Sequence, residues 1–150
     1  ERIEYRKLRE NYQIIESKAF GADAILLIAA ILKKDEIKRF SELAKSLHLE
    51  IILEVHNTTE LTNSLMPSLQ MIGVNNRNLK TFEVDIAHSK KLSKAIPSEF
   101  VSISESGISS IEAIKELKPF GFKGFLVGEN FMKTDNPGQS ASNFIKNLIV

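Results

Sequence analysis

In the stretch Met71-Ile-Gly-Val-Asn-Asn-Arg-Asn-Leu-Lys-Thr-Phe-Glu-Val-Asp85, a short apolar run turns abruptly into side-chain amides and a guanidinium. Two-residue alternation divides this run between the two faces of a strand. One face carries Gly73, Asn75 and Arg77, and the other carries Ile72, Val74 and Asn76. The chemistry changes at the carboxyl end, which is where parallel α/β sheets bind ligands. A polar turn is the alternative interpretation, but apolar strands with polar or glycine-rich ends occur again upstream and downstream.

The composition is that of an ordinary globular domain, with 150 residues, 43% of them hydrophobic and 26% charged. The net charge is +1 and the cationic residues are dispersed, which argues against a nucleic-acid surface or a polybasic membrane patch. There are no cysteines, and no metal-ligand spacing appears, so we predict neither disulfides nor a metal. No apolar run of membrane-spanning length and no signal-peptide core is present, and we expect a cytoplasmic protein.

Helical and strand patterns alternate along the chain. Helices are predicted at 10–20, from a cap at Asp35 to Leu47, from a cap at Thr58 or Thr59 to 65, at 85–95, at 110–117 and, after a Pro137-Gly138 break, at 140–148. Strands are predicted at 22–29, 50–56, 71–74, 100–104 and 124–127, the first of them buried on both faces. Regular alternation predicts a single domain of parallel strands with crossover helices. Periodicity alone allows an open doubly wound sheet or part of an eight-strand barrel.

Glu54 is a carboxylate near the end of an otherwise apolar strand, in the run Ile51-Ile-Leu-Glu-Val-His-Asn57. Burial raises the pKa of a carboxylate and makes it a better base near neutral pH, so Glu54 is a candidate general base. The alternative is an ion-paired residue at a strand end. His56 and Asn57 are interpreted as hydrogen-bonding residues at the same strand end, accessory to Glu54.

Two further strand ends carry glycine, in Ser104-Glu-Ser-Gly-Ile108 and in Val127-Gly-Glu129. Glycine lets a phosphate approach backbone N–H groups, and a helix beginning just beyond adds a favourable dipole. Two such turns on consecutive strands would form one anion cradle. Tight βα turns that require glycine are the alternative, and neither turn is a Walker or dinucleotide motif.

Together these segments and Gly21-Ala-Asp-Ala-Ile-Leu-Leu-Ile-Ala29 closely resemble indole-3-glycerol-phosphate synthase of tryptophan biosynthesis, from about Asn11 to the C-terminus. The Asn75-Asn-Arg-Asn-Leu79 segment is the most specific part of the resemblance. The family is a (β/α)8 barrel lyase without a cofactor. It closes the indole ring of 1-(2-carboxyphenylamino)-1-deoxyribulose 5-phosphate with loss of carbon dioxide and water. The resemblance implies that the strands here are the fourth to eighth of a TIM barrel, present as a partial barrel.

The same resemblance assigns roles to single residues. Glu54 corresponds to the general base of the dehydration step, and Asn75 to the amide that orients substrate and catalytic groups. The residues expected to line the substrate pocket are Arg77, Glu105 and Ser106. Those expected at the phosphate-binding turns are Gly107, Gly128 and Glu129.

The sequence departs from the family at its start. Glu4-Tyr-Arg-Lys7 faintly matches the first-strand motif and Leu8-Arg9 the third-strand motif, but the general-acid Lys of the latter has no counterpart. Residues 1–10 are therefore interpreted as a remnant of the N-terminal half, with about 100 residues of a usual barrel absent. General acid–base steps contribute about 10²–10⁴-fold, so the chain alone is expected to be nearly inactive.

Two alternatives to an active synthase chain stay open. The first is a non-catalytic half-barrel fragment that binds phosphate or self-associates through unpaired sheet edges. The second is another phosphate-binding barrel enzyme such as phosphoribosylanthranilate isomerase, which leaves the Asn75–Leu79 segment unexplained. The expected partner is a phosphorylated small molecule, without nucleic acid or membrane.

Overall fold

The computed structural model describes residues 3–4 and 7–148, and the chain divides into two compact units. The first unit comprises residues 1–73 and 95–101, and the second comprises residues 74–94 and 102–150. The strands are β1 (Ile3–Glu4), β2 (Ala24–Ile28), β3 (Glu50–Val55), β4 (Met71–Asn75), β5 (Val101–Glu105) and β6 (Phe122–Leu126). The α-helices are α1 (Asn11–Ala19), α2 (Lys34–Ser46), α3 (Thr58–Ser64), α4 (Ala87–Ser93), α5 (Ile111–Leu117), α6 (Glu129–Met132) and α7 (Pro137–Leu148).

In the first unit the strands follow one another in the order β1-β2-β3-β4. β2 lies parallel to both β1 and β3, in a register that places Leu26 opposite Ile52 and Ile28 opposite Glu54. Four consecutive residues of β2 and five of β3 are buried. Burial on both faces is what parallel strands covered by crossover helices require.

Helix α2 packs onto this sheet through one apolar stripe. Ile37, Phe40 and Ala44 recur at helical spacing and are all fully buried. Full burial of side chains of this kind contributes about 1.5–3 kcal/mol each for the larger residues. The stripe therefore anchors the helix that connects β2 to β3.

In the second unit the order is β4-β5-β6, and β5 and β6 are parallel. Their register shifts between Ser102 and Ile103. The core includes Ile103 from β5 and Ile114 from α5, both buried, and Phe122 from β6. Strand and helix alternate as the sequence predicts, and the prediction of parallel strands with crossover helices is confirmed for the pairs above.

The predicted starts of helices α3 and α2 were wrong or incomplete. Asn57, not Thr58 or Thr59, caps α3: its Oδ1 accepts a hydrogen bond from the Glu60 N–H at 2.8 Å. Helix α2 begins one residue before Asp35, which lies in the first turn. Asparagine, threonine and aspartate are all favourable near a helix start, so the sequence could not select which of them occupies the capping position.

Pro137 begins α7 instead of breaking the chain before it. Proline is well accommodated at the first helical position, because the N–H that it lacks has no partner within the helix. Asn136 takes the capping position, and its Oδ1 accepts a hydrogen bond from Gln139 N–H at 3.0 Å. Helix α7 therefore begins three residues earlier than predicted.

The interpretation of residues 1–10 as a remnant of a preceding half falls partly on residues 1–2 and 5–6, which lie outside the described residues. Residues Ile3–Glu4 form a strand paired with β2 that the sequence did not predict. Within the described ranges, no helix combines the length and the apolar character that crossing a bilayer requires.

Candidate active site

Glu54 lies one residue from the carboxyl end of β3, in the first unit, and only 8% of its surface is exposed. Four of its strand neighbours, Ile51 to Leu53 and Val55, are buried and apolar. A carboxylate in such a place needs polar partners, because an isolated buried charge is costly. The first partner is His56, whose Nε2 lies 3.2 Å from Glu54 Oε1.

A second set of polar contacts lies at the start of α3 and is made by the Glu60 carboxylate. The Glu60 carboxylate accepts hydrogen bonds from the His56 backbone N–H at 2.8 Å and from Asn57 Nδ2 at 2.7 Å. Glu60 Oε2 also lies 3.3 Å from His56 Nδ1. Reciprocal contacts between an N-cap residue and an acidic residue three positions later are typical of a capping box. His56 and Asn57 are therefore part of an ordered strand-to-helix turn.

In the second unit, Asn75 is the last residue of β4 and Arg77 comes two positions later. Asn75 is half-buried, and its Oδ1 accepts a hydrogen bond from the Arg77 backbone N–H at 2.9 Å. The Arg77 guanidinium forms an ion pair with Glu129, at the start of α6, and reaches the Phe82 carbonyl at 3.4 Å. The structure thus brings together two predicted site residues, Arg77 and Glu129, from chain positions 52 residues apart.

Asn76 is the residue that sequence reasoning passed over. It is 4% exposed, and its Nδ2 donates to Ser104 Oγ at 2.9 Å, to the Glu105 carbonyl at 2.9 Å and to the Ser106 carbonyl at 3.0 Å. Its Oδ1 accepts from the backbone N–H of Ser89 at 3.0 Å and from the Ser89 hydroxyl at 2.8 Å. The available signal was its place on the same strand face as Ile72 and Val74, which predicts a buried amide.

The Asn76 amide connects three elements. Ser89 is the third residue of α4, so its backbone N–H belongs to the first turn, which has no partner inside the helix. Asn76 Oδ1 satisfies that donor, so the residue that directly follows β4 supplies a cap to α4. The same amide holds the end of β5 through the Glu105 and Ser106 carbonyls, which positions both predicted pocket residues.

Glu105 and Ser106 occupy the end of β5. Glu105 is 6% exposed, and its backbone carbonyl also accepts from the Asn76 N–H at 2.9 Å. Ser106 has φ +63°, in the left-handed region that side chains other than glycine rarely adopt. Such a conformation costs about 1–3 kcal/mol and persists only where neighbouring contacts hold it. The hydrogen bond from Asn76 Nδ2 to the Ser106 carbonyl is such a contact.

The two predicted phosphate-turn glycines differ in kind. Gly107 has φ +73°, and a Cβ there would lie 2.4 Å from Val84 Cγ1, so both the backbone and the packing require glycine. Gly128 has φ −121°, and apart from its neighbours along the chain no atom of the described residues lies within 4 Å of a Cβ built on it. Packing therefore explains the first glycine and leaves the second without an intramolecular reason.

A cavity of about 510 Å³ lies beside Gly107, lined by Asp85, Ser110, Glu112 and Glu116 among others. Three carboxylates line it, and that of Glu116 is paired with Lys90. Hydrogen bonds from the Glu112 backbone N–H and from the Ser110 hydroxyl hold the pKa of the Glu112 carboxyl below its ordinary value. No cluster of three or more potential metal ligands occurs among the described residues.

The sequence model of the indole-3-glycerol phosphate synthase family matches residues 7–145. The indole-3-glycerol phosphate synthase of Bacteroides thetaiotaomicron is 47% identical over 137 residues, covering 91% of this chain and 52% of that protein. The one from Caldanaerobacter subterraneus subsp. tengcongensis is 48% identical over 126 residues, covering 84% of this chain and 49% of that protein. The chain thus spans about half the length of the curated relatives that it matches.

Solved structures agree on the fold. A 3-hexulose-6-phosphate synthase from Salmonella typhimurium superposes with a TM-score of 0.74 at 13% identity, covering 93% of this chain and 67% of that one. A mutant tryptophan synthase alpha-subunit from Pyrococcus furiosus gives a TM-score of 0.68 at 18% identity, covering 93% and 60%. These neighbours are TIM-barrel proteins, and at such identities the likeness concerns the fold alone. With the family match over residues 7–145, it follows that this chain belongs to the indole-3-glycerol phosphate synthase family.

Proposed function

We propose that this chain carries the general-base and phosphate-binding part of an indole-3-glycerol phosphate synthase. The reaction is ring closure of 1-(2-carboxyphenylamino)-1-deoxyribulose 5-phosphate, with loss of carbon dioxide and water, in tryptophan biosynthesis. The observation that carries the proposal is the family match over residues 7–145, which includes every residue named for the site. The location expected for this carboxy-lyase is the cytoplasm.

Glu54 is the proposed base. A new carbon–carbon bond joins the aromatic ring to the carbonyl carbon of the substrate, the carboxylate on the ring leaves as carbon dioxide, and the former carbonyl oxygen leaves as water. The dehydration needs a group that removes a proton from the substrate. The position of Glu54 near the carboxyl end of β3 supports this role, because ligands of parallel α/β sheets bind at that end of the strands.

Asn75 is proposed to orient the substrate together with Arg77. Its half-buried amide accepts a hydrogen bond from the Arg77 backbone N–H, and its Nδ2 group is the proposed donor to a substrate oxygen. Glu105 and Ser106 are proposed to line the pocket. Their support is the Asn76 amide, which holds both backbone carbonyls.

Gly107, Gly128 and Glu129 are proposed to bind the substrate phosphate through backbone N–H groups. The open space around Gly128 supports this, because it leaves the backbone accessible where packing does not require glycine. The Arg77 guanidinium, paired with Glu129, supplies a positive charge near that turn. Inorganic phosphate titrated into the labelled chain should move the amide signals of these three residues, and unchanged spectra would reject the cradle.

Activity is tested in a fusion, because the chain spans about half the length of its curated relatives. Residues 7–145 replace the aligned segment of the Bacteroides thetaiotaomicron relative, and indole formation is followed by fluorescence. We expect turnover by the fusion and a loss of at least about 100-fold with Glu54→Gln, while binding of a phosphate analogue persists. Glu50→Gln is the matched control, because Glu50 is exposed at the other end of the same strand.

Each outcome separates two possibilities. Turnover retained by Glu54→Gln would remove Glu54 from the role of base. An inactive but folded fusion that still binds phosphate would favour the second candidate, a non-catalytic half-barrel. That candidate draws on the half-length coverage of the relatives and predicts concentration-dependent self-association of the chain alone, measurable by sedimentation.

A further inference from the structure

We propose that His56 is a positioning residue for the Glu54 carboxylate, and that Glu60 holds His56 in turn. The inference rests on the proposed function in one respect, namely that Glu54 is the base. It assigns to the His56 side chain a task separate from the capping of α3.

The imidazole of His56 lies between two carboxylates. Its Nε2 is 3.2 Å from Glu54 Oε1 and its Nδ1 is 3.3 Å from Glu60 Oε2. The side chains of Glu54 and His56 are both only 11% exposed. Positions two apart at a strand end project to the same side, which explains the contact. The Glu54 carboxylate therefore has a nitrogen-bearing ring as its neighbour at close range.

Glu60 is itself anchored. Its carboxylate accepts hydrogen bonds from the His56 backbone N–H at 2.8 Å and from Asn57 Nδ2 at 2.7 Å. Its backbone N–H donates to Asn57 Oδ1 at 2.8 Å. Two hydrogen bonds to the carboxylate and one from the Glu60 backbone leave this side chain little freedom, so it presents a fixed acceptor to the His56 ring. A ring oriented by one fixed carboxylate can orient a second group through its other nitrogen.

The helix cap does not need the imidazole. The capping contacts use the backbone of His56 and the side chains of Asn57 and Glu60. Nevertheless the ring is nearly buried, and within the described part of the chain its Nε2 makes no well-aligned hydrogen bond. A modest rotation of the Glu54 carboxyl group would align the 3.2 Å contact and satisfy that nitrogen. Burial thus favours an ordered orientation of the Glu54 carboxylate.

The first test uses the chain itself and needs no activity. Long-range proton–nitrogen spectra report the ring nitrogens of the histidines. We expect Glu54→Gln to move the Nε2 signal of His56 and Glu60→Gln to move its Nδ1 signal, with the His48 signals unchanged in both. An Nε2 signal that is insensitive to Glu54→Gln would overturn the proposal whether or not the protein is a synthase.

The second test measures kinetics in the fusion described above. His56→Phe keeps a ring of similar shape and removes both nitrogens, so we expect kcat to fall at least about tenfold with KM within about twofold. His56→Gln restores a side-chain donor and should recover part of kcat. His48→Gln is the control, because His48 precedes β3 at its amino end while His56 follows its carboxyl end.

A double-variant comparison separates positioning from general structural damage. If His56 acts through Glu54, adding His56→Phe to Glu54→Gln should lower kcat no further. Independent, multiplicative losses would indicate a merely structural role and overturn the inference. Loss of activity with Glu54→Gln but an unchanged kcat with His56→Phe would reject this inference and leave the proposed function standing. Full activity of Glu54→Gln would reject the proposed function of Glu54 instead.

Discussion

Replacing each of the two adjacent asparagines, Asn75 and Asn76, by alanine should change the stability of the fold by very different amounts. The Asn76 side chain is buried and contacts five polar groups, on α4 and at the end of β5. Asn75 is half-buried and accepts one backbone hydrogen bond. We expect Asn76→Ala to lower the free energy of unfolding strongly and Asn75→Ala to lower it little.

The magnitude follows from the groups that lose a partner. Truncation of Asn76 leaves the Ser89 backbone N–H without its cap, and loss of a cap costs about 0.5–2 kcal/mol. The Glu105 carbonyl keeps its bond from the Asn76 backbone, whereas the Ser106 carbonyl loses its bond from Nδ2. A buried polar group left unsatisfied costs about 1–3 kcal/mol. The sum is about 1.5–5 kcal/mol for Asn76→Ala, against about 0.5–1 kcal/mol for Asn75→Ala.

Urea unfolding of the chain, followed by circular dichroism, measures the difference. With a slope of about 2 kcal/mol/M, Asn76→Ala should lower the midpoint by about 0.8–2.5 M and Asn75→Ala by no more than about 0.5 M. Asn76→Asp keeps the acceptor for Ser89 but places a charge against two carbonyls, so it should be at least as destabilising as alanine. Equal midpoints for the two alanine variants would refute the assignment of Asn76 as the structural amide.

Gly107→Ala should lower the free energy of unfolding by about 2–3 kcal/mol, because its Cβ would meet Val84 Cγ1 and its φ is positive. Gly128→Ala should change the free energy of unfolding by less than about 0.5 kcal/mol. A larger loss at Gly128, measured by thermal unfolding, would contradict the packing argument. Glu129→Gln breaks an exposed ion pair and should cost less than about 1 kcal/mol in urea. The folded-state pKa of Glu112 lies below its ordinary value. The ionised carboxylate therefore stabilises the fold fully at a pH above the ordinary pKa, and this stabilisation is lost as the pH falls through the folded-state pKa. Glu112→Gln should therefore reduce stability near neutral pH and make no difference in strong acid, and a difference that grew on acidification would refute this sign.

Local pattern was sufficient for the elements and for the faces of β4. The apolar run of β2 predicts a strand buried on both faces, and the stripe of α2 predicts the helix that covers it. Alternation also predicts that Asn76 shares a strand face with Ile72 and Val74, and the structure shows all three to be buried. These features follow from the sequence because they depend only on residues a few positions apart.

Tertiary structure alone decided which distant groups meet. Asn76 finds its partners at Ser89 and Ser104, which are 13 and 28 residues away, and no local pattern specifies that distance. The choice of Asn57 over Thr58 as the cap also depends on the direction in which the chain leaves β3, since both residue types can cap. By itself the sequence determined strands β2 to β6, the helices that connect them, the family and the strand face on which Asn76 lies. The three-dimensional packing decided that this amide holds the strand ends together, because hydrogen bonds depend on distances in space and not along the chain.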